Sequence, residues 1–252
     1  MKTGSFKGLL CREYYLIKVK IPSYIVMVVT FTLLPVLMVL SSKYGNIALV
    51  IKNSNIGDAL LPMIEVTKFM PALCAVMFVS LALDMGIPDI NPLWESFRLS
   101  SPVKGIKFAA ARYTITAVCT LISAVLGLAS TFLMAAVDGK PVAKADIAVT
   151  FVILAFFLLF TIAGQISTLI FRSQDKGMLA LLGVMMTIGI AISSLIINND
   201  PLAERTPQEQ FDFIIEMKNK CTELLPLSLV VIILALIAGF LATAALYKRR
   251  LK

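Results

Sequence analysis

The sequence predicts an all-α, polytopic membrane protein, and three observations carry that prediction. Of 252 residues, 59% are hydrophobic and only 15% charged, with a mean hydropathy of +0.90. Soluble domains are nearer 45–50% apolar and about 25% charged. The apolar residues gather into six stretches, each near the roughly 20 residues that cross a hydrocarbon core of about 30 Å. Lysine and arginine collect in alternate gaps between those stretches. A single apolar run in lipid must satisfy its own backbone groups, so each stretch is expected to be a helix.

The expected spans are residues 23–42, 61–83, 108–137, 146–171, 178–197 and 225–247. With residues 1–22, 84–107 and 198–224 they form one transmembrane domain, 1–252. Pro35 is expected to kink the first span. Fifteen of the 23 Lys and Arg fall on one side: Lys2, Lys7, Arg12, Lys18, Lys20, Arg98, Lys104, Lys107, Arg112, Arg172, Lys176, Lys248, Arg249, Arg250 and Lys252. Ten of the 15 acids fall on the other. The positive-inside rule then places both termini in the cytoplasm, with 43–60 and 198–224 as outer loops of a cytoplasmic-membrane protein. The formal charge of +8 would suggest a nucleic acid partner in a soluble chain. Here the surplus flanks membrane spans, so lipid is the expected partner and nucleic acid is not. The first twenty-odd residues are polar and basic, and the apolar run after them exceeds a signal-peptide core, so no cleaved leader is expected.

Histidine is absent from the sequence. That removes Ser-His and Cys-His nucleophile pairs and His-based metal sites. The four cysteines, Cys11, Cys74, Cys119 and Cys221, form no CxxC pair, and their positions suit neither a disulfide framework nor a zinc site. No metal and no directly bound cofactor is expected. The sequence contains no GxxxxGK[ST] phosphate loop.

Five local patterns go beyond spanning. Residues 1–22 contain Leu9, Leu10, Tyr14 and Ile17 near helical spacing, with Arg12, Glu13, Lys18 and Lys20 interspersed. They are expected to form an amphipathic helix along the cytoplasmic interface, tyrosines at headgroup depth. In 84–107, Asn91-Pro92 reads as an N-cap followed by proline at the first helical position. A short helix 92–99 follows with the only tryptophan, Trp94. It suits either a groove in another protein or a connecting loop with an interfacial anchor. Glu65 and Lys68 lie three apart at the outer end of the second span, on one helix face. They line a polar outer path, or they sit at the headgroups on a span that starts near Phe69. Small residues recur every fourth position in the third span, at Cys119, Ser123, Gly127, Thr131 and Ala135. Shorter ridges occur at Gly183, Thr187, Ala191 and at Ala235, Gly239, Thr243. They mark a dimer seam, a sliding contact or packing within the bundle. Finally, Thr206-Pro207-Gln208-Glu209 fits a capping box opening an amphipathic outer helix, which lies on the bilayer or dips into it.

The run Trp94-Glu95-Ser96-Phe97-Arg98-Leu99-Ser100-Ser101-Pro102-Val103-Lys104 resembles the cytoplasmic loop of ABC-2 type (type V exporter-like) permeases. In that family an aromatic and acidic helix precedes a Leu-Pro-Val-type turn, where this chain has Ser-Ser-Pro. The chain is most similar to short permeases of Gram-positive exporters of peptide toxins such as phenol-soluble modulins. The resemblance implies a permease that pairs with a second copy or paralogue, each docking a cytoplasmic ABC ATPase that binds ATP and Mg. Asn91, Pro92, Leu93, Trp94, Glu95, Phe97, Arg98 and Leu99 would form the coupling helix. Trp94, Phe97 and Leu99 would be its apolar anchors, with Glu95 and Arg98 at the rim. The cargo would be an amphipathic peptide or lipid-like molecule. The alternative is a passive membrane module, either the ligand-capture subunit of an uptake system or an immunity-type protein. A capture subunit should bind its ligand tightly without an ATPase. An intramembrane enzyme is a third class; its only candidate charged pair, Glu65 and Lys68, sits at one edge, and Gln165 stands alone in an apolar span.

Overall fold

The computed structural model describes residues 4–45, 56–86, 104–173, 175–183, 186 and 206–250. Every regular element among them is helical: α1 Gly4–Lys18, α2 Ile21–Tyr44, α3 Ile56–Thr67, α4 Met70–Val76, a 3₁₀-helix Met77–Gly86, α5 Gly105–Asp138, α6 Lys144–Phe171, α7 over 175–183 and α8 Pro207–Arg250. Five stretches are long and apolar enough to cross a membrane: Ile21–Tyr44, Pro62–Leu83, Gly105–Asp138, Lys144–Phe171 and Glu209–Lys248. The expected fifth span, 178–197, lies mostly outside the described residues.

The second span is not one α-helix. Pro71 has no N–H to donate to the carbonyl of Thr67, four residues back. The chain accordingly turns at Lys68 and Phe69 and restarts at Met70. After Val76 the winding tightens into ten residues of 3₁₀-helix.

The bundle is built around α5 and α6. Val76 and Val79 of the second span pack with Tyr113 of α5, Leu154, Leu158 and Ile162 of α6, and Ala235 of α8. In lipid, apolar surface alone gives helices little reason to associate, so close approach and interhelical hydrogen bonds decide the packing. The small residues provide both. A Cβ on Gly127 would stand 2.8 Å from Thr150 Cγ2 and 2.8 Å from Val76 Cγ2. One on Gly239 would stand 2.6 Å from the Tyr113 hydroxyl. Thr131 and Thr150 share a hydroxyl hydrogen bond of 2.9 Å across α5 and α6. Gly139 ends α5 in the left-handed conformation at φ 67°, so the chain reverses into α6 within a few residues.

The outer faces remain apolar and open. On α2, Ile25, Val26, Val29, Leu33, Leu34 and Leu37 are exposed, and on α8 so are Leu227, Val230, Ile233, Leu234, Ile237 and Leu241. Exposed apolar bands on membrane-length helices are surfaces for lipid tails.

One expectation needs correction. The amphipathic helix expected at 198–224 is not a separate element lying flat. Pro207–Arg250 is one helix of 44 residues, passing through Pro226. At 1.5 Å per residue it is about 66 Å long, about twice the hydrocarbon core. Its first half is held along α3 and the start of α6, where Lys218 pairs with Asp146 at 2.8 Å. Its start does carry the capping box. Glu209 accepts from the Thr206 N–H at 2.7 Å, and the Thr206 hydroxyl accepts from the Glu209 N–H at 3.4 Å. The N-terminal helix forms as expected and packs one face against the bundle. Leu9, Glu13 and Ile17, spaced by four, are buried, whereas Tyr14 and Tyr15 are exposed. An ionic residue, not Tyr14, occupies the middle of the buried stripe.

Candidate functional site

The ends of α2, α3, α5 and α6 meet the side of α8 near Asp138, and charge concentrates there. Three carboxylates, Glu65, Asp138 and Asp146, meet four lysines, Lys43, Lys68, Lys140 and Lys218. The turn after α3 presents Lys68 back toward Glu65, and the two pair at 2.5 Å. Lys68 also reaches Asp138 at 3.0 Å, bridging the second span to the end of α5. Lys140 approaches the same carboxylate at 3.4 Å and Lys43 of α2 at 3.7 Å. Lys43 Nζ donates to the carbonyls of Val137 (3.1 Å) and Asp138 as well. Ammonium groups are favoured there, because the last carbonyls of α5 lack helical partners and carry the negative end of its dipole. Asp146 sits in the first turn of α6, where a carboxylate is favoured for the opposite reason, and accepts from the Ala143 N–H at 3.4 Å. Lys218 completes the set, 4.8 Å from the centre of the Phe69 ring.

All of these charges except Lys43 line a cavity of about 200 Å³ whose apolar wall includes Phe69, Ala72, Met134 and Pro141, with Thr131 among its lining residues. Individually such pairs are worth about 0–1 kcal/mol at an exposed surface. Here most are partly buried, and Asp138 is shared by three lysines, while Lys218 and Asp146 form a separate pair across the same cavity. Together they tie α2, the second span, α5, α6 and α8 around an opening.

A second ionic connection lies at the other end of α5. Glu13 (2% exposed) and Arg112 (1% exposed) approach to 4.0 Å, joining α1 to α5. Arg12 also pairs with Glu13. Arg112 donates to the Met85 carbonyl at 2.7 Å, and its guanidinium lies 5.9 Å from the centre of the Tyr247 ring. Ionic groups this deep persist only when paired and hydrogen-bonded.

The structure brings Glu65 and Lys68 together at the cavity. Ser123, Gly127 and Thr131 turn into the interior of the chain's own bundle, and Ala135 lines the cavity. Ala235, Gly239 and Thr243 likewise face Tyr113 and Ile162. Gly183 has nothing within 4 Å of its Cβ position, and Thr187 and Ala191 are outside the described residues. The proposed coupling residues Asn91, Pro92, Leu93, Trp94, Glu95, Phe97, Arg98 and Leu99 also lie outside them. Gln165 is not isolated: its amide donates to the Ala82 carbonyl at 2.6 Å.

Sequence reasoning missed Asp138, Lys140, Asp146 and Lys218 as cavity residues, and it missed the Glu13–Arg112 pair. No local spacing joins residues 99 apart in the chain. The one available signal was an acid inside an otherwise apolar stripe of α1. Among the described residues no group of three or more His, Cys, Asp or Glu could hold a metal ion. Comparison with protein-family models, with curated proteins and with solved structures gives no match.

Proposed function

We propose that the chain is the membrane-spanning subunit of an ATP-driven exporter, paired with a second copy or paralogue and moved by separate cytoplasmic ATPase subunits. The observation that carries this reading is the link between the two ionic connections. The second span and α5 both run from one connection to the other. At one end Arg112 of α5 holds the Met85 carbonyl. At the opposite end Lys68 holds Asp138 across the charged cavity. The segment 87–103, with the Trp94–Lys104 resemblance to an ABC-2 coupling loop, joins the same two helices. Work delivered to that segment acts on both helices and reaches the charged closure at their far ends. In this reading the cavity is the outer gate, Glu65 and Lys68 are gate residues, and both termini are cytoplasmic. ATP and Mg act on the partner subunit, and the cargo is an amphipathic peptide or lipid-like molecule.

The test is copurification. Replacing Trp94 and Phe97 with Ala should abolish recovery of a companion ATPase with the membrane-inserted chain. Normal recovery with the double variant overturns the coupling assignment. High-affinity capture of a small ligand by the chain alone would favour the passive module instead.

A further inference from the structure

The lower half of the second span is wound more tightly than its length favours. Met77–Gly86 is a ten-residue 3₁₀-helix, whereas such runs seldom exceed about three or four residues because their hydrogen bonds are poorly aligned. Phe78 is buried within it, and so is a stripe with the same repeat. Val76, Val79, Ala82 and Met85, spaced by three, are each 0% exposed.

Side chains from three other helices hold the carbonyls along this stretch. Tyr24 of α2 donates to the Ala75 carbonyl at 2.9 Å and also to that of Cys74, just before the winding changes. Gln165 of α6 donates to Ala82, and Arg112 of α5 donates to Met85. External donors stabilise carbonyls that an over-wound helix serves badly. Gln165 itself is fully buried, and among the described residues its Oε1 finds no hydrogen-bond donor. Only its amide end secures it, and burying an unsatisfied acceptor costs about 1–3 kcal/mol. The 3₁₀ form is therefore held from outside, and its cost is visible in the holder.

We propose that Met77–Gly86 interconverts between 3₁₀ and α winding, with Gln165 and Arg112 latching the 3₁₀ form. Ten residues span about 20 Å as 3₁₀-helix and about 15 Å as α-helix, so conversion draws the Gly86 end in by about 5 Å. It also turns the segment. From Val76 to Met85 is three full turns of 3₁₀-helix but about two and a half of α-helix, so Met85 moves from the buried face to the opposite one. Leu83, half-buried beside Gly164 of α6 and seven residues after Val76, moves onto the face that Val76 occupies in exchange. The conversion itself stands on this packing alone. Its use as the stroke between segment 87–103 and the charged cavity rests on the exporter reading.

The test uses the full chain in lipid vesicles with Cys11, Cys74, Cys119 and Cys221 replaced by Ala, and no ATPase present. Met85→Cys or Leu83→Cys is then added, and the rate of reaction with a membrane-permeant maleimide is measured with and without Gln165→Leu. Releasing the latch should speed Met85→Cys by about five- to tenfold, the factor carried by one buried hydrogen bond, while slowing Leu83→Cys. Equal rates with and without the latch, or acceleration at both positions, overturns the proposal, since general loosening exposes both. Should Gln165→Leu prevent folding, Gln165→Met, which keeps the side chain's length without the amide donor, should give the same reciprocal pattern; its absence there is equally decisive. Failure of the exporter reading leaves these rates unchanged, because no partner takes part.

Discussion

Gly127 offers the sharpest test of how the bundle is packed. Substituting Ala adds one methyl group at a point 2.8 Å from Thr150 Cγ2 and 2.8 Å from Val76 Cγ2. Comfortable carbon–carbon separation is about 3.5–4.0 Å, so each neighbour must retreat by roughly 0.7 Å or more. Neither neighbour has an easy retreat. Thr150 is fixed by its bond to Thr131, and Val76 by the central core. Overpacking of this kind costs about 1–3 kcal/mol, offset in part by up to about 1 kcal/mol of helix propensity gained when Gly becomes Ala. A net loss of about 1–2 kcal/mol follows, a factor of about 5–30 in the folding equilibrium. Gly183→Ala is the internal control, because nothing lies within 4 Å of its Cβ position. The assay is reversible unfolding in mixed micelles, with chain concentration varied. Thr150→Ser added to Gly127→Ala removes one clashing methyl and should recover part of the loss. If Gly127→Ala is as stable as Gly183→Ala, or if its effect depends on chain concentration, the intramolecular packing is wrong and the ridge joins two chains.

The remaining predictions concern the two ionic connections. Asp138→Asn removes the carboxylate shared by Lys43, Lys68 and Lys140. It should raise the reactivity of a cysteine placed at Thr131 toward water-soluble thiol reagents by about tenfold, with little change in folding. Unchanged reactivity would mean that the cluster does not close the cavity. Glu13→Ala removes one partner of a buried pair, a change that typically costs about 3–5 kcal/mol. The α1 helix should then come loose and be clipped by protease while α5 and α6 stay protected; an undiminished helix would show that Glu13 does not hold it.

The parts of the fold legible in the sequence were those that depend on composition and length. Apolar runs long enough to cross lipid declared α2, α5, α6 and the second half of α8, because the bilayer imposes a minimum length whatever the packing. Caps were legible too, since Thr206 and Glu209 act within one turn. The 3₁₀ stretch was not. Almost every residue from Met77 to Leu83 is apolar or small, so repeats of 3 and 3.6 look alike until neighbouring helices choose between them. The continuity of α8 through Pro226 was also hidden. A proline inside a helical pattern reads as a break, yet the helix runs on through it. Glu65 and Lys68 could be singled out because both lie on one turn, whereas Asp138 and Lys218 became part of the same site only where helix ends meet the side of α8.

The central claim is that the segment bearing Trp94 and the charged cavity lie on opposite sides of the membrane, joined by the second span and α5. Single cysteines at Trp94 and at Lys140, in a chain otherwise free of cysteine, can be probed in intact cells and in inverted vesicles with an impermeant thiol reagent. The account predicts labelling of position 94 only in inverted vesicles and of position 140 only in intact cells. Labelling of both positions from the same side would contradict it.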